Sequence, residues 1–250
     1  MAKQAGIFQT RGSIGNVTFR QTPHGFQLGM KSSLDKSKMD GNPRFDGTRE
    51  ANRDFTAAAK GAKLIIEAMK EATKLVNTAM TYPRLQRAAR SVVNSDSVHR
   101  RGQKTMADGN QMLLLNFDFN DKAQLSNNMR IALAPSIDRV TGEFELVFPE
   151  FDPAKVLSFP ETATHYQLVL CGANLNFVEN TYGSVLSESG VLPLAVETAS
   201  SVTLEGTFTP GTLDPIFVGV GIRFFTEDGA FFNTMKGAAQ NSFKIVSIDF

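Results

Sequence analysis

The residues of this chain best suited to nucleophilic or metal chemistry are three histidines and one cysteine: His24, His99, His165 and Cys171. No histidine has a second ligand at metal-binding spacing. His24 falls in a predicted turn, His99 late in a predicted helix and His165 at the start of a predicted strand. Each reads as an ordinary surface or edge histidine. Cys171 lies six residues after His165 in the strand-like run HYQLVLCGANL, so both point to one strand face. A nucleophilic Cys–His pair needs sharper surroundings, and strand packing explains the run. A single cysteine also excludes an intramolecular disulfide. The glycine-punctuated Arg11–Asn16 lacks the Lys-Ser/Thr of a phosphate loop and precedes a strand, so it reads as a turn. Glu143, Glu145, Glu150 and Asp152 cluster, but paired-carboxylate chemistry needs a set separation in space. Asp228-Gly229 reads as a hairpin turn and not as part of a calcium loop. No catalytic residue, metal site or cofactor is expected, and the chain does not read as an enzyme.

What the chain builds then becomes the question. Asn16–Lys31 reads as a β-hairpin. Val17 and Phe19 alternate with Thr18 and Arg20, Pro23-His24-Gly25 turns the chain, and Phe26, Leu28 and Met30 alternate with Gln27 and Lys31. A lone two-stranded ribbon is marginal in water, so its apolar face must lean on its own chain or on a neighbouring copy. Residues 32–47 are polar and turn-rich and read as an extended arm with Phe45 as an anchor. Val17, Phe19, Phe26, Leu28, Met30 and Phe45 are the candidate assembly residues.

Helical signal begins at Thr48, a fitting N-cap, with Glu50 in the first turn. Phe55, Ala59, Ala62, Ile66, Met69, Val76 and Met80 form one stripe. A second helix restarts around Pro83, runs to about Arg101 and stops at Gly102. Its apolar face is thin: Leu85, Ala89, Val92 and Val93. Arg84, Arg87, Arg90, Arg100 and Arg101 make it the most basic part of the chain, either a solvated face or a phosphate-contacting one. No aromatic residue interleaves with these arginines.

From Asn110 the period changes to strands, expected around 113–119, 129–134, 143–148, 164–173, 175–179, 201–208, 215–226 and 242–250. Ile216–Phe225 is apolar on both faces and should be central, with Gly219 and Gly221 marking close approach or a bulge. The expected fold is α+β: an N-terminal β-hairpin arm (1–46), a helical hairpin (47–109) and a C-terminal antiparallel β-sandwich (110–250).

The net charge of +1 hides an uneven spread. Residues 1–110 carry 19 Lys and Arg against 9 Asp and Glu, and residues 111–250 carry 7 against 16. Three readings are open: the halves neutralise each other within one molecule, copies meet basic end to acidic end, or the basic half meets nucleic acid. The N-terminus lacks a signal-peptide apolar region, and no apolar run approaches the ~20 residues that span a bilayer. Synthesis in the cytoplasm without a signal peptide is expected. With no Trp and three Tyr, the composition lends little to a carbohydrate-binding sandwich.

The runs RGSIGNVTFRQTPHGFQLGMKSS, NPRFDGTREANRDFTAAAKGAKLI and IDRVTGEFELVFPEFDPAKVLSFPETATHYQLV resemble a group of uncharacterised proteins encoded in Bacteroidota genomes, some in prophages or phages. The resemblance covers Gly12 to about Val169. It implies a structural particle or filament protein and carries no site residues. The expected function is a self-assembling structural subunit of a virion, tail or filament, joined by arm exchange and charge-complementary contacts. Its partners would be other copies of itself, a homo-oligomer or polymer, together with other virion or filament proteins. The alternative is a nucleic-acid-associated packaging or scaffold protein using the basic half.

Overall fold

The computed structural model describes residues 2–3, 11–22, 25–31, 39–76, 78–235 and 240–250, so the expected Pro23-His24 turn lies outside the described residues. The fold is α+β, with antiparallel sheets throughout. The chain divides into two compact units, residues 1–49 and 50–250. The pieces expected at 47–109 and 110–250 fall together in the second of them, apart from the first few residues.

In the first unit, strands β1 (Ala2–Lys3), β2 (Gly12–Ile14), β3 (Val17–Thr22) and β4 (Gly25–Met30) form a sheet in the order β1-β4-β3-β2. The expected hairpin is β3–β4, in register from Val17↔Met30 to Thr22↔Gly25. A turn at Gly15-Asn16 adds β2 to it. Pro43–Phe45 is a 3-10 turn capped by Asn42, whose Oδ1 accepts from Arg44 N at 3.0 Å. This cap and Pro43 start helical backbone early, so helix α1 (Asp46–Ala68) begins before Thr48.

The second unit continues with α2 (Lys70–Thr73), α3 (Thr81–Ser95), a 3-10 turn Gln111–Leu114 and α4 (Leu125–Asn128). Strands β5 (Ser136–Asp138) and β6 (Glu143–Phe148) come next, then α5 (Pro153–Val156). After these run β7 (His165–Asn176), β8 (Thr181–Glu188), β9 (Leu192–Pro193) and β10 (Val202–Thr207). The last strands are β11 (Ile216–Asp228), β12 (Phe231–Thr234) and β13 (Ser242–Asp249). β11 is central as expected: β7 pairs along one edge, and β13 then β12 along the other. β8 and β9 pair the far edge of β7. β5, β6 and β10 make a separate three-stranded sheet, in the order β10-β6-β5.

Strand alternation sorts the core into two clusters. Val169, Cys171, Ala173, Phe217, Phe243 and Ile245 pack against α1, α2 and α3. Leu168, Leu170, Val218, Val220 and Ile222 pack against Phe144, Leu146, Phe148 and Leu204 of the small sheet. The second unit therefore has three layers, helices, large sheet and small sheet, with the large sheet buried on both faces. Gly219 sits where the β11–β13 register shifts, and a Cβ there would lie 2.3 Å from Phe243 Cζ. The aromatic ring occupies the space a side chain would need.

Several expected elements differ. The buried face of α1 is Ala58, Ala62, Leu64, Ile65 and Ala68, whereas Ala59 and Ile66 are half-buried and Phe55 is exposed. The small residues, not the larger ones flanking them, let the helix approach the layer beneath. Residues 113–119 do not form a strand: Asn110 caps the 3-10 turn and Asn116 adopts φ 65°. Residues 116–119 then run beside β13 through Asn116 N→Ile245 O, Ile245 N→Phe117 O and Phe119 N→Phe243 O, at 2.9–3.1 Å. Residues 129–134 contribute one bridge, Met129↔Leu157. β7 runs unbroken to Asn176, and the predicted turn at 180–183 gives way to β8 at Thr181.

Candidate interaction surfaces

The register of β3 and β4 puts Val17, Phe19, Phe26, Leu28 and Met30 on one face, and the pairing Ile14↔Val17 adds Ile14. Met30 is 79% exposed and Ile14 69%, while the others are half-buried. Phe45, in the 3-10 turn, is also half-buried. None of the residues of the first unit with described burial is fully buried. Among the described residues the ribbon thus has an apolar face and no fully buried side chain.

The arginines expected on one helix divide into two groups. Leu85, Ala89, Val92 and Val93 of α3 are buried, which leaves Arg84, Arg87 and Arg90 outside them. The Arg84 guanidinium lies 5.1 Å from the Phe117 ring centroid, and that of Arg90 6.0 Å from the Phe55 ring. Aromatic partners missing from the local sequence arrive from α1 and from the 116–119 segment. A groove of about 400 Å³ opens between Arg84, Arg87, Ala88, Ser91, Leu113 and Phe117. Arg84 Nη1 is buried without a hydrogen-bond acceptor among the described residues.

Arg100 and Arg101 lie beyond the helix, which ends at Ser95 and not at Arg101. The cause is Asp96. Its Oδ1 accepts from Val98 N and His99 N, and its Oδ2 from Thr105 N and His99 Nδ1, at 2.8–3.0 Å. Burial alone would raise this carboxyl, but the donors from Thr105, His99 and Val98 prevail and hold it well below the usual carboxylate range. Asp54 of α1 holds the same loop through Gly102 N at 2.9 and 3.0 Å and Lys104 N at 3.3 Å. Gly102 has φ +83°, and its Cα faces Glu50 too closely for a Cβ. Lys104 Nζ caps the Asn94 and Asp96 carbonyls at 2.8 and 2.7 Å. Arg100 Nε donates to Gln103 Oε1 at 3.3 Å, and Arg101 lies 4.0 Å from Glu50.

Asp96, His99 and Asp108 present ligand atoms within 4.8 Å of one another, a proximity the spacing in sequence does not reveal. Both Asp96 oxygens are committed to the donors named above, and Asp108 Oδ2 accepts from Thr105 Oγ1 at 2.6 Å. The donor set is that of a capped loop.

The other candidates for chemistry disperse. Cys171 is buried, and burial pushes its thiol up to about 11, against small opposing effects of Ser184 and Arg223. His165 bonds Thr164 Oγ1 at 2.9 Å and packs beside Phe232, six residues of extended strand from Cys171. Asp152 caps α5 through Ala154 N at 3.0 Å. Asp228-Gly229 joins β11 to β12.

Glu143 and Glu145 do share a surface. Burial alternates strictly along β6, with Phe144, Leu146 and Phe148 inward and Glu143, Glu145 and Val147 outward. The register sets Glu205 of β10 opposite Glu145, and Asp138 of β5 opposite Glu143. β5, β6 and β10 carry no Lys or Arg. The EFELVF alternation of β6 is legible in sequence, whereas Glu205 and Asp138 join it only through strand pairing.

No protein-family model matches the chain, and comparison with curated proteins and with solved structures also returned no match. Among the described residues, no helix is long and apolar enough to cross a membrane.

Proposed function

We propose that this chain is a self-assembling structural subunit, of the kind found in virions, tails or filaments, whose N-terminal ribbon engages another copy. The observation that carries this is the first unit: an apolar face formed by Val17, Phe19, Phe26, Leu28 and Met30, with no fully buried residue among those whose burial is described. A small sheet needs a packed face to be stable, and exchange of such an element between identical chains supplies one. The resemblance of residues 12–169 to phage-associated proteins agrees with a particle or filament role. Deleting residues 1–45, which leaves α1 whole, should give a folded protein that has lost the ribbon joint and forms smaller assemblies than the full chain, as seen by negative-stain microscopy. A truncated protein that polymerises like the full chain would overturn the reading.

One observation favours a second reading. The stacking of Arg84 on Phe117 and of Arg90 on Phe55 pairs cations with aromatic faces, the combination that single-stranded nucleic acid engages. A packaging or scaffold role then predicts oligonucleotide binding that weakens steeply with salt. A gel shift that stays flat at low salt removes it.

A further inference from the structure

The two charged surfaces lie on opposite outer layers of the second unit. The α3 face carries Arg84, Arg87 and Arg90 and no acidic residue in the whole helix. The small-sheet face carries Asp138, Glu143, Glu145 and Glu205. The large sheet lies between them, packed on the helices by one face and on the small sheet by the other. Sheet-to-sheet spacing is about 10 Å and a helix is about 10 Å across. The two faces are thus separated by more than two Debye lengths of about 8 Å at physiological salt. They cannot neutralise each other within one unit.

Each face also carries charge that an oppositely charged partner would balance. On the acidic side, Glu145 stands directly opposite Glu205, while Asp138, opposite Glu143, turns its Oδ1 to Val140 N at 2.8 Å. Like charges in these positions destabilise a sheet. On the basic side, Arg87 and Arg90 are exposed and no acidic residue of α3 balances them. Arg84 acts on one buried acid, Asp118, which the Leu125 N–H and Lys244 also hold. An oxyanion in the groove lined by Arg84, Arg87 and Ser91 would meet the exposed Arg87 and Ser91 side chains. Carboxylates are the oxyanions this chain itself displays, on the face farthest from the groove.

We propose that the acidic face of β5–β6–β10 of one copy docks on the α3 arginine face of the next, with a glutamate carboxylate entering the groove beside Arg87. This rests on the self-assembly reading and gives it a second, ribbon-independent joint. Because the faces differ and lie on opposite layers, the contact is heterologous. It repeats head to tail and builds a polar stack instead of a closed two-fold dimer.

The test uses the full chain and two charge-reversed forms, R87E/R90E and E143K/E145K/E205K. All five positions are exposed, and circular dichroism checks that each form folds. Assembly mass is followed by light scattering and sedimentation at low and high salt. The wild type should assemble at low salt and loosen as salt rises. Each reversed form alone should associate at least about tenfold more weakly. An equimolar mixture of the two forms should recover association, because each then meets its complement. If either form folds poorly, the single variants R87E and E145K, mixed in the same way, give the same readout. Wild-type assembly that both reversals leave unchanged, with no recovery in the mixture, overturns this joint and leaves the ribbon reading standing. A wild type that stays monomeric at every salt overturns both. A labelled single-stranded oligonucleotide is the control probe: binding lost in R87E/R90E, with assembly indifferent to the glutamate reversals, assigns the arginines to nucleic acid and overturns the proposal.

Discussion

Asp96 is the residue on which the basic surface depends for its shape, and replacing it with asparagine is a sharp test of why α3 ends where it does. D96N keeps the size of the side chain but turns one acceptor oxygen into a donor. Wild-type Oδ2 accepts from Thr105 N and from the His99 ring, so at least one N–H loses its acceptor, and the bonds that survive lose their charge assistance. An orphaned buried donor costs about 1–3 kcal/mol, and charge-assisted bonds are roughly twice as strong as neutral ones. The expected loss is about 2–3 kcal/mol at neutral pH. For a unit of this size, each kcal/mol moves Tm by about 2–4 °C, so the fall should be about 4–12 °C. The pH dependence separates this mechanism from a general packing defect. The folded carboxyl is held below its unfolded value of about 3.9, so the folded state binds that proton more weakly. Its contribution is complete above the unfolded value and is lost as pH falls through the depressed one. D96N cannot titrate. The stability gap between wild type and D96N, measured by urea unfolding with circular dichroism, should therefore be largest near neutrality and shrink in acid below about pH 4. A gap that is the same at neutral pH as in strong acid would refute the reasoning.

Three further outcomes follow from the core. Cys171 should resist thiol reagents at mildly alkaline pH in the folded protein and react promptly once unfolded, because burial pushes its thiol up to about 11; rapid native labelling contradicts this. Arg223 reaches across from β11 to the Glu71 and Ala72 carbonyls at 2.9 and 3.2 Å and pairs with Glu188. R223M should cost about 2–4 kcal/mol in denaturant titration, since it leaves a carboxylate and two helix-end carbonyls without their donor; a loss under about 1 kcal/mol would show that water replaces it. G219A should destabilise by about 1–3 kcal/mol or more, since its methyl would overlap the Phe243 ring; an unchanged midpoint would show that the ring moves aside.

Much of the local structure was legible because it depends on near neighbours. The β3–β4 alternation, the Leu85, Ala89, Val92 and Val93 stripe of α3, and the central apolar run of β11 each appear where the spacing places them. Glycine at 219 likewise signalled the close approach that β13 makes. The expected stripe includes Ala62, Met69 and Val76, which are buried, but Phe55 is exposed and Ala59 and Ile66 are half-buried. Periodicity weighs Phe55 and Ile66 as core, whereas helix-to-sheet distance is set by Ala58 and Ala62. The segment 113–119 alternates like a strand, but the Asn110 cap and the left-handed Asn116 leave it only a short backbone contact with β13.

By itself the sequence determined the periodic elements, the apolar ribbon and the lopsided charge. These are properties of residues a few positions apart, whose side chains share a face by helix or strand geometry alone. Tertiary structure alone decided that Phe117 lies under Arg84, that Glu205 faces Glu145, that Asp96 ends α3, and that the basic and acidic surfaces occupy opposite layers. Those facts depend on which strand pairs with which and on which face of the large sheet each layer covers. Long-range hydrogen bonding and burial fix such choices, and no local spacing encodes them.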